Sequence, residues 1–193
     1  MTQEVHTRQQ ALELLKEYNK SDSLIKHAFS VEAVMRHFAK INNEDIEKWG
    51  IIGLLHDIDY EMYPNEHCTK AKEILEKAGY GAQYIHAIQS HGYGLCIDVE
   101  PIEKMEKVLY TIDELTGLIT ATALMRPSKS ILDMEAKSVK KKWKQKSFAS
   151  GVNREVIKNG ADKLGLDMNT IICETLIGMQ SVAQEIGLKG DVV

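Results

Sequence analysis

The chain has 193 residues, with 24 Lys and Arg against 28 Asp and Glu, for a net charge of −4. Its 44% hydrophobic residues can form a core, which argues against wholesale disorder, and the acidic balance argues against a generally basic nucleic-acid binder. Aromatic residues at 6% and only three prolines favour helices over a β-sandwich.

In chain order, residues 9–19 predict a first helix with Ala11, Leu12, Leu15 and Tyr18 on one side. Ser21-Asp22-Ser23 offers the next helix start, and Leu24, His27, Val31, Val34 and Phe38 follow in steps of three and four until Asn42-Asn43. A third helix is expected over 44–57, then a turn at Tyr63-Pro64-Asn65. Residues 66–78 predict a helix stopped by Gly79, and 81–90 another that ends near Gly92 and Gly94. Pro101 is placed to open a long helix running to about Met125, with Ile102, Met105, Val108, Ile112, Leu115 and Ile119 as its apolar stripe. Thr116, Gly117, Thr120 and Ala121 give that helix a small-residue face. A lysine-rich helix is expected over 133–146, with Asn153 and Asp167 as N-caps for helices at 154–164 and 168–187. Residues 127–152 are expected to be the least regular and partly mobile. No sustained period-two strand is visible.

Cys68, Cys96 and Cys173 are odd in number and never form Cys-x-x-Cys, so neither a disulfide scaffold nor a zinc ribbon is expected. That usage fits a reducing cytoplasm. Glu4, Arg8, Glu13 and Glu17 punctuate the start of the chain, so no secretory leader is expected there. The apolar run 51–55 is too short to span a bilayer. One domain is expected over 1–193, with its motif region at 20–127 and a helical extension at 128–193.

The chemistry concentrates around His56-Asp57, which ends the run Ile51-Ile52-Gly53-Leu54-Leu55. A buried carboxylate beside a buried imidazole needs charge compensation, and a metal ion supplies it directly. Neighbouring helical positions differ in direction by about 100°, so both side chains can converge on one ion at a helix end. Imidazole with carboxylate suits manganese, iron, zinc, cobalt or nickel.

Leu54-Leu55-His56-Asp57-Ile58-Asp59 resembles the signature of the HD superfamily of metal-dependent phosphohydrolases. Upstream, Lys26-His27-Ala28-Phe29-Ser30-Val31 matches the first histidine of that pattern; downstream, Tyr110-Thr111-Ile112-Asp113-Glu114 matches its closing aspartate. The resemblance implies an all-α HD-domain helical bundle, here with extra C-terminal helices. It implies a divalent transition metal held by His27, His56, Asp57 and Asp113. In the binuclear branch, extra histidines lie between the His-Asp pair and the last Asp. By that resemblance His67 and His91 complete a second ion, with Asp57 shared. His86 lies five residues before His91, about 140° away on a helix, so His91 is preferred; His6 and His37 are read as structural or exposed.

Some HD proteins continue the pair with Ile-Gly-Lys, whereas this chain has Ile58-Asp59-Tyr60. Asp57 and Asp59 are the candidate catalytic carboxylates. Asp59 is open to three readings: orienting a ligand, serving as general acid or base, or ending a helix at the surface. Gly92-Tyr93-Gly94 departs from the Gly-Tyr-Pro of the cyclic-dinucleotide branch, so cyclic di-GMP cleavage is not expected. The layout implies a small anionic phosphorylated substrate, a nucleotide above all. Neither membrane attachment nor stable nucleic-acid binding is expected, and oligomerisation is left open. Arg126 and Lys129 are the candidate phosphate-binding cations, although Arg126 stands roughly 20 Å along the helix from Asp113. Lys137, Lys140, Lys141, Lys142, Lys144 and Lys146 form either a solvated face or a funnel for an anion. A mononuclear nucleoside monophosphate phosphatase and a non-catalytic, metal-stabilised nucleotide sensor are the rival readings.

Overall fold

The computed structural model describes residues 6–191, so Glu4 lies outside them. Nine α-helices and one 3₁₀ turn are present among the described residues, with a single isolated bridge between Tyr93 and Ile97 as the only extended pairing. The expected all-α architecture is observed. No helix of the described residues is long and apolar enough to cross a membrane.

Helix α1 (Arg8–Tyr18) opens with a capping box between Thr7 and Gln10. Helix α2 (Asp22–Asn42) runs until Asn43, which adopts a left-handed φ of 56° and stops it. Helix α3 (Ile46–Leu55) is capped by Asp45, and all seven residues from Trp49 to Leu55 are buried. A helix apolar all round must be enclosed. Here α3 lies along α2 with α1 and α5 also against it, while α6 and α9 cover other sides of α2.

The 3₁₀ turn (Pro64–Glu66) precedes α4 (Thr69–Lys77) and α5 (Ala82–Ser90). The helix expected from residue 66 therefore starts three residues later. Pro101 does not open the next helix either. Helix α6 (Lys104–Leu124) begins after Glu103, where the Glu106 carboxylate accepts the backbone N–H groups of Ile102 and Glu103. The lysine-rich helix α7 is confined to Ala136–Trp143; α8 (Arg154–Leu164) and α9 (Met168–Gln180) start at the two expected caps. Beyond Gln180 the chain continues in turns to Leu188 instead of extending the helix to 187.

One buried hydrophobic cluster reaches from Ala11 to Leu188. Beside it, Glu32 on α2 is 3% exposed and accepts two bonds from Arg8 of α1 (2.6 and 2.8 Å) and one from Arg36 (2.8 Å). Arg36 also clasps Glu47 of α3. A buried carboxylate is tolerable because both its oxygens meet guanidinium donors.

The segment between α7 and α8 is irregular yet tied down. Arg154 donates to the carbonyls of Trp143, Gln145, Phe148, Ala149 and Val152, and so holds that turn in place.

The crossing of α9 over α2 depends on Gly178, where an added Cβ would lie 2.8 Å from the Cα of Val34. Gly178→Ala is expected to lower the urea midpoint by the equivalent of about 1–3 kcal/mol, the usual penalty for overpacking. Gly151→Ala, where a Cβ would meet nothing within 4 Å, is the control and should leave the midpoint unchanged.

Candidate metal centre

Six of the singled-out side chains meet at one place. His27 comes from the core-facing stripe of α2, His56 and Asp57 from the end of α3, and Asp113 from the middle of α6. His91 caps the C-terminus of α5. His67 does not open a helix as expected. With Cys68 it forms the turn between the 3₁₀ turn and α4, where Cys68 adopts a φ of 64°.

The donor atoms fall into two groups that share Asp57. His27 Nε2 lies 3.2 Å from His56 Nε2 and 2.9 Å from Asp113 Oδ1, and His56 Nε2 lies 3.3 Å from that same oxygen. Asp57 Oδ2 completes this group at 3.7 Å from His27 and 3.4 Å from His56. On the other side, His67 Nε2 and His91 Nε2 are 3.2 Å apart, and Asp57 Oδ1 lies 3.5 and 3.4 Å from them. Ligands about 2.1 Å from a common ion stand roughly 3.0–3.5 Å from one another; the second group falls within that range, and the first spans 2.9–3.7 Å.

Tautomers decide what these atoms need. His56 Nδ1–H donates to the carbonyl of Gly53 at 2.8 Å, and His91 Nδ1–H to that of Ile88 at 2.5 Å. His67 Nδ1–H donates to Asp59 at 2.8 Å. His27 Nδ1 faces the Thr116 hydroxyl at 3.4 Å, an oxygen that spends its own proton on the carbonyl of Asp113. Each ring thus anchors its Nδ1 outward and turns an Nε2 lone pair inward. Lone pairs of four imidazoles and oxygens of two carboxylates converge, and the six residues supply no donor of their own to satisfy them. Such a set fits one or two divalent cations.

Without a cation, protons must substitute. Burial opposes charge on His56, but Asp57 and Asp113 outweigh it and hold its pKa well above the usual 6.5. Burial likewise opposes the charge on Asp57, yet His56 and its neighbours push that carboxyl well below its usual range. Asp113 is lowered in the same way, chiefly by hydrogen bonds from His27 and His56 against its burial. For His67, burial is overcome by Asp59 and Asp57, so its pKa is raised.

Asp59 is fully buried, so the reading of a surface carboxylate is corrected. One oxygen holds His67 and the other accepts the backbone N–H of Ala71 at 2.7 Å. Those two contacts fit the ligand-orienting reading of Asp59. The two phosphate-binding candidates are not brought to the centre. Arg126 donates to the carboxylate of Asp133 at 2.7 Å and to its backbone carbonyl at 3.0 Å, and Lys129 is exposed at a turn. The lysines of α7 face outward while Val139 faces the core, and Lys142 lies over the Phe148 ring.

The remaining histidines go elsewhere. His86 bonds the buried Glu106 at 2.7 Å in the floor of a separate cavity of about 700 Å³. His37 bonds Glu174, and His6 stacks on Tyr80. A residue missed in the sequence is Cys68. Its sulfur lies within 4.8 Å of the inward atoms of His67 and His91, a proximity set by the turn at residue 68 and invisible in spacing alone.

Because Asp59 selects the His67 tautomer, Asp59→Asn should weaken binding at the His67–His91 group by about 10–100-fold and spare the other group. Titration of metal-free protein with cobalt, followed by absorption and calorimetry, measures both steps. Equal affinities in the variant and the parent would remove this role.

No curated protein and no solved structure matches the chain. The family described as HD domain does match, over residues 24–118. That span holds all six converging side chains and ends within α6. Residues 24–118 of this chain therefore form a domain of the HD type.

Proposed function

We propose that the chain is a metal-dependent phosphohydrolase that uses two divalent transition-metal ions to cleave a phosphoester or phosphoanhydride bond of a nucleotide. The observation that carries this reading is Asp57, whose Oδ2 faces His27 and His56 while its Oδ1 faces His67 and His91. A carboxylate so placed serves two positions at once. His27, His56 and Asp113 would hold one ion, His67 and His91 the other, with Asp57 between them. When bound, such ions polarise a phosphoryl oxygen and acidify water to near neutrality.

The protein's own contribution is orientation and enclosure. Nδ1 anchors fix four rings, and Asp59 positions His67 without touching the reacting atoms. A cavity of about 430 Å³ opens beside His27 between α2, α6 and the C-terminal turns. Lys26, Ser30, Thr120, Ala121, Leu124 and Leu188 are among the residues around it. Its size and partly apolar wall suit the non-phosphoryl part of a small substrate. Gly117 and Thr120, from the small-residue face of α6, make the room. The cytoplasm is the proposed setting, on the cysteine usage already described.

Metal analysis and phosphate release from a nucleotide panel with added manganese test the proposal together. The parent protein should carry up to two ions per chain and release phosphate. His67→Ala or His91→Ala should each lose one ion. Asp57→Ala should lose turnover by orders of magnitude while retaining its helical content. Near-normal turnover in Asp57→Ala, or full metal content in both histidine variants, would overturn it.

Stability against pH tests the same site without turnover. The raised pKa of His56 contributes stability to metal-free protein below about 6.5, and this is lost as pH rises through the folded value. The lowered pKa values of Asp57 and Asp113 contribute above about 3.8 and are lost on acidification through their folded values. In metal-loaded protein, His56 would offer its Nε2 lone pair and carry no proton there. The Tm difference between metal-loaded and chelated protein should therefore widen from about pH 6 to 8. A difference that narrows over this range would contradict the assignment of His56.

A further inference from the structure

Two thiols lie beside the second half of the centre. Cys68 Sγ and Cys96 Sγ are 3.3 Å apart. Cys68 is fully buried and directly follows His67, whereas Cys96 is exposed in the short loop after His91. Three features of the backbone hold the sulfurs together. Cys68 occupies a φ of 64°, a region that side-chain-bearing residues rarely adopt. The loop carrying Cys96 is closed by backbone N–H bonds from residues 95, 96 and 97 to the carbonyl of Gly92, and by the Tyr93–Ile97 bridge. Position 92 is glycine, and a Cβ there would lie 2.5 Å from both sulfurs. The space under the pair exists only because that side chain is missing.

We propose that Cys68 and Cys96 are a reversible thiol–disulfide pair, oxidised by a peroxide, whose bond staples the segment of His67 to the loop that follows His91. Reaching a disulfide length of about 2.05 Å requires the sulfurs to approach by about 1.3 Å, within the reach of side-chain rotation. The exposed Cys96 meets the oxidant first. Its sulfur attacks one peroxide oxygen, the O–O bond breaks, and Cys96 becomes a sulfenic acid with release of one water. The sulfur of Cys68 then attacks the sulfenic sulfur. The S–S bond forms, the S–O bond breaks, and the departing hydroxide leaves with the Cys68 proton as a second water. Two thiols lose two electrons in total, and the peroxide gains them. Cys173 on α9 has no cysteine beside it among the described residues and stays a thiol.

The chemistry needs no bound ion and stands apart from the hydrolase reading. Full-length protein, reduced and treated with chelator, is exposed to excess hydrogen peroxide and then alkylated, digested and mapped. The thiol count should fall from three to one, with a peptide cross-link between Cys68 and Cys96, and dithiothreitol should restore all three. The oxidised form should melt at a higher temperature than the reduced form, because the bond closes the chain from 68 to 96. Cys96→Ser should form no cross-link and show no such rise, while Cys173→Ser should behave as the parent. Retention of all three thiols, or oxidation of Cys96 to a sulfinic acid with Cys68 still free, would overturn the proposal.

Discussion

Convergence of acceptors without a donor is the constraint around which this molecule is arranged. Four inward Nε2 atoms and the oxygens of Asp57 and Asp113 lie mostly 2.9–3.7 Å from their neighbours. Lone pairs at that distance repel unless positive charge enters, whether as protons or as metal ions. Protons serve only in part, because a protonated Nε2 points one hydrogen at several acceptors. Cations satisfy all of them together. The opposed shifts of His56 and of Asp57 and Asp113 record the same demand in the metal-free protein.

The fold maintains this costly arrangement by placing it at helix ends. His56 and His91 are the C-cap residues of α3 and α5, and each donates Nδ1–H to a carbonyl three residues earlier. Helix C-termini have carbonyls without intrahelical partners, so the same bond completes the helix and turns the ring. The partial negative charge at a helix C-terminus also favours a cation nearby. Close contact of α3 with α2 then fixes the distance from His56 to His27. Gly53 permits it, since a Cβ there would lie 3.0 Å from the carbonyl oxygen of Val31. Core packing and site geometry are therefore one problem, and a substitution in the α2–α3 contact acts on both.

Much of this is legible in the sequence. His27 falls on the apolar stripe of α2 because steps of three and four define a helix face, and His56-Asp57 stands out as polar residues ending a buried run. The N-caps Asn153 and Asp167 were visible for similarly local reasons. Several features escaped because they depend on contacts distant in sequence or on backbone turns. Burial of Asp59 arises from the turn that brings Ala71 back over it, so its sequence neighbours suggest a surface residue. The partnership of Glu32 with Arg8 and Arg36 joins α1 to α2 across twenty-four positions, beyond the reach of local spacing. Cys68 and Cys96, twenty-eight positions apart, meet only through the turn after His67 and the loop after His91.

The fate of the arginines bears on how an anion would be recognised. Arg8 and Arg36 are committed to Glu32 and Glu47, Arg126 to Asp133, and Arg154 to five backbone carbonyls. Each uses the planar fork that would otherwise suit a phosphate. Lys26 lines the cavity beside His27, but its ammonium is 2.6 Å from Asp22. Structural duties thus occupy the guanidinium groups that the sequence offers near α6. A phosphorylated substrate entering that cavity would meet its main positive charge at the His–Asp centre itself. Affinity for the anion and activation of the water would then depend on the same metal loading. On this arrangement, losing an ion would weaken substrate binding along with turnover, whereas in a site with its own arginine clamp the two could separate.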